Sequence, residues 1–348
     1  MKRTLIVLGI AAGIAFLTGP SVPAGEKVDS LIETMVDKGL LTEEEGAEVL
    51  AESEEEEAEK KGVKLPEWMD KISFGGDLRL RYQWQKTSGS EDRQRGRIRL
   101  RLGAEADILD PLTVGFRLAT GSDDPRSTNQ TLEDTFQTPD IRLDYAYGRY
   151  DPVDCIGIIL GKFKNPVYRP SSLLWDSDIN PDGGSVLLEK EVDAALSIFL
   201  NTGFWILDEE KSDTDDPVMW VFQPGLEWDV IEDKLYWKAA AAYYGFANVK
   251  GNTLDHSAGS NSRVTVAPAT EVLEYDYDSI AVSTEFGLAR PFEPIPWTIA
   301  FGEYIHNFDP SRENNGWLIG VKAGEKKVKK QDQWQVKYSY RRLERDAW

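Results

Sequence analysis

The chain has almost none of the residues that hold disulfide scaffolds or zinc sites together. Its 348 residues include one cysteine, Cys155, and two histidines, His256 and His306, which lie far apart in the sequence. A single cysteine cannot form an internal disulfide, and two distant histidines give no repeated spacing of zinc ligands. The sequence therefore excludes a disulfide-stapled fold and an ordinary zinc enzyme.

Positive charge is also scarce, since 40 Lys and Arg stand against 60 Asp and Glu and the net charge is 40 − 60 = −20. Such a chain repels phosphate backbones, and it has no separate basic domain, so nucleic acid is not an expected partner. Catalytic and phosphate-binding motifs are absent as well. Carboxylate pairs arise by chance among 60 acids, so we expect no enzyme.

Long apolar runs are missing except at the N-terminus. There Lys2 and Arg3 precede the apolar residues 5–17, and a small-residue pattern ends at Ala24. This is the form of a secretory signal peptide, and we expect residues 1–24 to be removed. A run of 13 residues rises only about 20 Å as a helix, too short for a membrane anchor. The mature chain would carry 38 − 60 = −22 charges.

Residues 25–71 have the composition of a separate acidic module, with 16 acids and 6 bases. Val28, Leu31 and Ile32 recur at helical spacing, and Thr42 opens a Thr-Glu-Glu-Glu sequence that can cap a second helix. Two short helices are too small for a core of their own. We expect this segment to pack on another copy, on the main domain or on a partner such as the cell wall. A solvated acidic spacer is the alternative.

From Ile72 onward the hydrophobic period changes from 3.6 to 2, which predicts β-strands. Leu78, Leu80 and Tyr82 alternate with polar residues, and about 12 to 13 segments of roughly 8 to 12 residues share this pattern. The residues expected on the apolar face further along are Ile98, Leu100, Leu102, Leu112, Val114, Phe116, Leu118, Ile141, Leu143, Tyr145, Tyr147, Leu196, Ile198, Leu200, Trp220, Phe222, Leu226, Trp228, Trp237, Ala239, Ala241, Tyr243, Ile280, Val282, Thr284, Phe286, Trp297, Ile299, Phe301, Trp317, Ile319, Val321, Trp334, Val336, Tyr338 and Tyr340.

This alternation fits either a soluble antiparallel β-protein or a transmembrane barrel with its apolar face outward. Strands of 9 to 11 residues, Trp and Tyr near segment ends and arginines at strand centres favour the barrel. Connections also alternate between tight ones, as at residues 109–112, and long ones, as at 121–139 and 246–272. We predict an all-β, antiparallel transmembrane barrel over residues 72–348, with about 12 to 16 strands when complete.

Several stretches are similar to the putative porin family of Gram-negative bacteria. They are residues 31–46 (LIETMVDKGLLTEEEG), 76–83 (GDLRLRYQ), 95–103 (RGRIRLRLG), 116–136 (FRLATGSDDPRSTNQTLEDTF), 160–184 (LGKFKNPVYRPSSLLWDSDINPDGG) and 338–347 (YSYRRLERDA). The resemblance implies an outer-membrane barrel behind a periplasmic helical segment. It also implies passive diffusion of small hydrophilic solutes or ions, contact with outer-membrane lipid, and a homotrimer.

The C-terminal residues depart from this family pattern. Members that resemble this chain usually continue with further strands, and a closing strand normally ends in an aromatic residue with apolar residues at alternate positions before it. Trp348 supplies the aromatic residue, but Asp346, Glu344 and Arg342 occupy the alternate positions. We therefore expect additional strands beyond residue 348, and a barrel that closes in an unusual way is the alternative.

Two groups of charged side chains are candidates for function. Arg79 and Arg81 on one strand and Arg97, Arg99 and Arg101 on the next share the polar face, so we expect them to form one basic strip lining a pore. The alternative is a hydrated face whose arginines pair with acids such as Asp77, Glu105 and Asp144.

The second group consists of Asp176, Asp178 and Asp182, which lie in the loop around residues 165–184. We expect it to fold inward as an acidic constriction opposite the arginines, although an ordinary extracellular loop is the alternative. The alternating oxygens also suggest a calcium loop, but Pro181 occupies the position where such a loop needs glycine. No other cofactor is expected.

Two other functional classes stay open at this point. A secreted soluble β-protein could bind carbohydrate through its tryptophans, and a barrel with a plugged lumen could serve only as a structural part of the envelope. The first would need no detergent for solubility, and the second would insert into membranes without conducting.

Overall fold

The computed structural model describes residues 5–14, 71–87, 89–209, 215–256, 259–266 and 269–348. The regular structure in these ranges is β-strand, and none of them contains a helix long and apolar enough to cross a membrane. The predicted helices of residues 25–71 lie outside the described residues. The strands are β1 (Leu5–Ile14), β2 (Ile72–Thr87), β3 (Arg93–Leu109), β4 (Leu112–Thr120), β5 (Gln130–Thr131), β6 (Ile141–Val153), β7 (Ile156–Lys162), β8 (Asp182–Glu191), β9 (Leu196–Ile206), β10 (Val218–Ile231), β11 (Leu235–Ala247), β12 (Arg263–Val266), β13 (Thr270–Leu273), β14 (Ser279–Phe292), β15 (Ile295–Asn307), β16 (Asn315–Gly324) and β17 (Gln335–Leu343).

Nearly all strands belong to one continuous antiparallel sheet. From β2 to β17 each strand pairs with the next in the chain, except that β5 pairs with β3 and that β12 and β13 form a separate hairpin. Thirteen long strands thus follow one another from Ile72 in the described residues, which confirms the predicted 12 to 13 segments. β1 pairs with the free edge of β2. It falls within the predicted signal peptide, whose removal remains a prediction.

The connections differ in length between the two ends of the sheet, as the sequence predicted. At one end, called the turn end here, they span residues 110–111, 154–155, 192–195, 232–234, 293–294 and 325–334. At the other, the loop end, they span residues 88–92, 121–140, 163–181, 207–217, 248–278 and 308–314. Outer-membrane barrels have short periplasmic turns and longer extracellular loops, so this asymmetry suits that architecture.

The alternating apolar side chains lie on the exposed face of the sheet. Leu80, Phe116 and Val321 are 54 %, 46 % and 41 % exposed, and most of the predicted apolar positions share this exposure. A soluble β-protein buries such a face against its core, because water-exposed apolar surface is unfavourable. The exposed face therefore matches a transmembrane barrel in contact with lipid and argues against the soluble alternative.

The prediction of which side chains point outward is wrong on parts of β6 and β15. A bulge on β6 opposite Arg117 and Leu118 shifts the alternation after Leu143, so Tyr145 and Tyr147 point inward. The second case is β15, where Ile299 and Phe301 are buried and the outward positions belong to smaller residues and Tyr304. Hydrophobic side chains on both faces of these strands made the alternation ambiguous.

The sheet curls around the loop of residues 163–181. Phe163, Val167 and Trp175 from this loop form one buried cluster with inward side chains of the strands from β7 to β16, including Trp205 on β9 and Ile305 on β15, which are 1 % and 0 % exposed. Strands that are distant in the sheet can meet the same loop only if the sheet is curved. The lumen on this side is therefore filled by a packed apolar core.

Candidate functional site

The five predicted arginines form one strip on the inner face of β2 and β3. In the register of the two strands Arg79 lies opposite Arg99, and Arg81 lies opposite Arg97. Arg101 pairs with Asp77 in the same row of side chains. Like charges directly opposite one another destabilise a sheet, so these positions need counter-charges or water. In this arrangement, called the arginine strip below, the five side chains lie on one face of the sheet.

Two of the five arginines are neutralised by carboxylates. Asp77 accepts hydrogen bonds from Arg99 Nη2 at 2.7 Å and from Arg101 Nε at 2.6 Å. The Asp178 carboxylate lies 4.0 Å from the Arg99 guanidinium and 3.8 Å from that of Arg101. The alternative of an acid-paired face thus holds for Arg99 and Arg101.

The other three arginines have no carboxylate partner among the described residues. Arg79 donates a hydrogen bond to the side chain of Asn129. Arg97 donates to Ser127 Oγ at 3.2 Å and to the Asn129 carbonyl at 2.9 Å. These partners are neutral, and Arg79, Arg81 and Arg97 form no ion pair among the described residues, although Asp178 attracts Arg79 and Arg97 from a longer distance.

The partners of Arg79 and Arg97 come from the loop of residues 121–140, which folds over the inner face. Within it β5 pairs with β3 beside Arg97. The buried Thr128 donates from its backbone N–H and from its hydroxyl to the Asp178 carboxylate, both at 3.1 Å. Because Asp178 lies in the loop of residues 163–181, this contact joins the two inward loops directly beside the arginine strip.

Buried polar side chains hold the second loop in the lumen. Gln223 on β10 accepts from the Tyr168 N–H at 2.7 Å and donates to the Tyr168 carbonyl at 2.9 Å. Glu303 on β15 accepts hydrogen bonds from Ser171 Oγ and, at 3.4 Å, from the Leu173 N–H. A buried polar group is costly unless it is paired, so each anchor favours the docked loop over a released one.

A third anchor joins this loop to β6. Asn180 Nδ2 donates to Asp144 Oδ1 at 2.8 Å, and Asp144 also accepts from Arg117 Nε at 2.5 Å. Together with Gln223 and Glu303, this contact ties the loop to strands on opposite sides of the lumen. The predicted inward fold of the loop agrees with this geometry.

The three predicted acidic residues occupy different environments. Asp178 is buried and faces the arginine strip, Asp176 is exposed and accepts from the Asp178 N–H, and Asp182 begins β8 and pairs with Lys162 at 2.6 Å. Only the first of the three has the predicted position against the arginines. Among the described residues no group of three or more His, Cys, Asp or Glu side chains could hold a metal ion. The separate partners of these aspartates do not favour a shared calcium ion.

A cavity of 720 Å³ opens at the loop end above these groups and is called the outer vestibule here. Asp178 lines its inner part, and its other acidic lining residues are Asp123, Asp124, Asp144, Asp182, Asp208 and Asp255. Hydrogen bonds from Arg126 lower the pKa of Asp124, and the same contact raises the pKa of Arg126. Since both shifts favour the charged forms, this pair stays ionised near neutral pH.

Sequence reasoning missed some of the residues that build this site. Arg93 and Arg95 continue the row of the arginine strip toward the loop end, and the alternation of β3 already contained that information. The anchors Gln223 and Glu303 gave no such signal, because a single polar residue in a strand does not indicate which distant loop it contacts.

The chain is similar to a known protein family and, more distantly, to solved structures of other proteins. A family model described as "Putative porin" matches residues 84–276, more than half of the chain. The solved structure of Pseudomonas aeruginosa OprD is 9 % identical with a TM-score of 0.39, covering 80 % of this chain and 81 % of that one. The outer membrane channel DcaP of Acinetobacter baumannii is 13 % identical with a TM-score of 0.35, covering 77 % and 95 %. No curated protein matches the chain.

Proposed function

Because the chain belongs to the putative porin family and is therefore a porin-like passive channel of the outer membrane, we propose that its lumen favours small anionic solutes. The observation that carries the proposal is the arginine strip. Arg79 and Arg97 donate to neutral groups, and among the described residues neither they nor Arg81 form an ion pair with a carboxylate. Charged strips along a pore select ions by attracting one sign.

The length of the basic row supports this proposal. Arg93, Arg95, Arg97, Arg99 and Arg101 alternate along the inner face of β3. At about 3.3 Å per residue the row extends about 26 Å along the strand, or about 20 Å across the membrane at a tilt of about 40°, which is about two thirds of the hydrocarbon core. An anion that leaves one guanidinium is therefore already near the next.

The predicted mature chain carries 22 excess negative charges, of which 16 − 6 = 10 lie in residues 25–71 and 44 − 32 = 12 lie in residues 72–348. Charges farther than about 10 Å are largely screened at 0.1 M salt. By contrast, an anion 4 Å from a guanidinium gains about 4 kcal/mol before screening at an effective dielectric constant near 20. An anion beside the arginine strip should therefore respond more to these arginines than to acids that lie farther away than the screening length.

The two inward loops support a size limit on the solutes. The loop of residues 163–181 fills the lumen beside β7 to β16 with an apolar core, which leaves the side of β2 to β6 for passage. There, Asp178 and Thr128 stand directly against the arginine strip. A solute would pass between the strip and the joined loops, and this acidic residue opposite the arginines would orient solutes that carry a dipole.

The remaining features of the proposal concern orientation and assembly. We place the turn end in the periplasm, with residues 25–71 on that side and residues 1–24 as the export signal, because short turns are periplasmic in such barrels. A homotrimer is proposed by family resemblance. Passive diffusion requires neither a catalytic step nor a cofactor.

The test compares ion selectivity in planar bilayers under a salt gradient. In the triple variant Arg79→Gln, Arg81→Gln, Arg97→Gln we expect the reversal potential to move away from the chloride equilibrium potential. The control variant Arg290→Gln, Arg312→Gln, Arg345→Gln removes equal charge from exposed positions outside the strip and should behave as wild type. Equal selectivity of all three proteins would contradict the proposal.

A second candidate function rests on the packed core around the loop of residues 163–181. Fifteen buried hydrophobic side chains in this cluster could fill a barrel that serves only as a structural element of the envelope. In that case the protein would insert into the bilayer and carry no current, and the arginine variant would not differ from wild type.

A further inference from the structure

One connection at the turn end differs from the others in length. Five of the six connections there have two to four residues, whereas residues 325–334 between β16 and β17 form a ten-residue turn. A turn of two to four residues is enough to join antiparallel neighbours, so the added length is not needed for strand pairing.

This turn also differs in charge. Lys326, Lys327, Lys329 and Lys330 stand against Glu325 and Asp332 within it. The side chains of Lys327, Lys329 and Lys330 are exposed, and none has a carboxylate within 4.0 Å in the described part of the chain. The other five turns each carry at least one acid, at Asp110, Asp154, Asp193, Glu232, Asp233 and Glu293. A basic turn on a chain of charge −20 therefore requires an explanation.

The turn has a defined conformation that presents these lysines. Gln333 Oε1 accepts the N–H groups of Lys329 at 2.7 Å and Lys330 at 3.0 Å. Gln335 Nε2 donates to the carbonyls of Glu325 at 2.7 Å and Lys326 at 3.1 Å. These bonds hold the backbone on both sides of the turn, so its lysines project from a defined backbone conformation.

The first lysine of the turn has a different role from the other three. Lys326 Nζ lies 3.8 Å from the ring centroid of Trp297 and 4.2 Å from that of Tyr236. These cation–π contacts attach the turn to the inner face of β11 and β15. Lys327, Lys329 and Lys330 are left as the exposed basic surface, called the basic turn surface below.

The chain contains a complementary acidic stretch that enters the barrel from the same end. Residues 52–59 contain six glutamates and no basic residue. Ile72, the first residue of β2, pairs with Ala106 near the end of β3, which places the entry of this segment at the turn end. Residues 25–70 themselves lie outside the described residues.

The connecting chain is long enough for the two regions to meet. Twelve residues lie between Glu59 and Ile72, so the two are 13 steps apart and can span up to about 43 Å when the chain is extended. A barrel of 13 to 16 strands about 4.8 Å apart and tilted by about 40° has a mouth about 26–32 Å across. The acidic stretch can therefore reach the basic turn surface wherever that surface lies on the rim, and the tether raises the effective concentration of the stretch there.

We propose that residues 52–59 bind the basic turn surface of their own protomer through ion pairs between the glutamates and Lys327, Lys329 and Lys330. This contact fixes the N-terminal segment at the rim of the barrel near β16 and β17. It assigns a role both to the long turn and to the acidic stretch, neither of which the passage of solutes requires.

Zero-length carbodiimide cross-linking of the purified full-length protein tests this contact, with the linked peptides identified by mass spectrometry. We expect links between glutamates 52–59 and Lys327, Lys329 or Lys330 at 50 mM salt. Their yield should fall several-fold at 1 M salt, where the screening length is about 3 Å. Mixing isotope-labelled with unlabelled protein separates links within a protomer from links between protomers.

Charge reversal provides the matched variants. Lys327→Glu, Lys329→Glu, Lys330→Glu should lower the yield of these links at least fivefold, and adding Glu54→Lys, Glu55→Lys, Glu56→Lys should restore it. The control variant Lys190→Glu, Lys234→Glu, Lys250→Glu reverses three exposed lysines elsewhere and should leave the yield unchanged. All variants should show wild-type tryptophan fluorescence, since every substituted lysine is exposed.

Three results would overturn the proposal. Links that join differently labelled chains would place the acidic stretch on a neighbouring protomer. An unchanged yield in the lysine reversal would show that the stretch lies elsewhere. Protection of the three lysines only in the presence of anionic lipid vesicles, without links to residues 52–59, would identify the lipid headgroup as the partner.

Discussion

The substitution Val321→Arg tests whether the exposed apolar face contacts lipid. Val321 points outward from β16 and is 41 % exposed. Its neighbours across the sheet are Ala300 on β15 and Tyr338 on β17. Val264 on β12 is also 41 % exposed, but it lies in the hairpin of the loop between β11 and β14. The same substitution at Val264 is therefore a control matched in residue type and exposure.

The expected magnitudes differ because the two valines contact different surroundings. Val321 lies four residues along β16 from Trp317, or about 10 Å deeper when the strand is tilted by about 40°, so it should be near the middle of the apolar band. An arginine at this depth on a lipid-facing strand costs about 2–4 kcal/mol. At an exposed loop position the change should cost about 0.5 kcal/mol or less.

Reversible denaturant titration of the protein in phospholipid vesicles, followed by tryptophan fluorescence, measures both free energies of unfolding. We expect a loss of about 2–4 kcal/mol for Val321→Arg and less than about 1 kcal/mol for Val264→Arg. The conservative variant Val321→Leu should stay within about 1.5 kcal/mol of wild type. Equal losses for the two arginine variants would refute the conclusion that the exposed face of β16 contacts lipid.

Three further substitutions address the lumen. Gln223→Leu leaves two backbone groups of the loop unpaired, which should weaken docking by at least about 2 kcal/mol or about 30-fold. Amide exchange in residues 165–174 should then rise, whereas Gln94→Leu on the outer face should not change it. Trp205→Ala should lower the free energy of unfolding by about 3–5 kcal/mol, measured by denaturant titration, because its side chain is 1 % exposed. Asp178→Asn removes the negative charge facing the arginine strip, so the reversal potential should move toward the chloride equilibrium potential; an opposite shift would contradict the proposed anion preference.

The fold was largely predictable because one physical requirement repeats along the chain. Each strand must present apolar side chains to lipid and polar ones to the lumen, so a period of 2 recurs in segment after segment. The row of Arg97, Arg99 and Arg101 was visible for the same reason, since a strict alternation places them on one face. The orientation of the strip and its pairing with Arg79 and Arg81 then followed from simple antiparallel pairing.

The prediction from alternation failed where the side chains that point into the barrel are themselves apolar. Ile299 and Phe301 point inward because the loop of residues 163–181 supplies apolar partners for them inside the barrel. Neither the bulge at Asp144 nor the contact of Thr128 with Asp178 could be predicted. Both depend on residues distant in sequence that meet only after the sheet has curled, and sequence periodicity contains no information on such contacts.

Single-channel recording of the wild-type protein in a planar bilayer under a salt gradient is the most direct test of the central claim that the arginine strip lines an open passage. We predict discrete current steps and a reversal potential on the chloride side of zero. Steps with a reversal potential on the cation side would show that the acidic groups, not the strip, determine selectivity. Protein that is inserted but carries no current would contradict the claim that the lumen beside the strip is open.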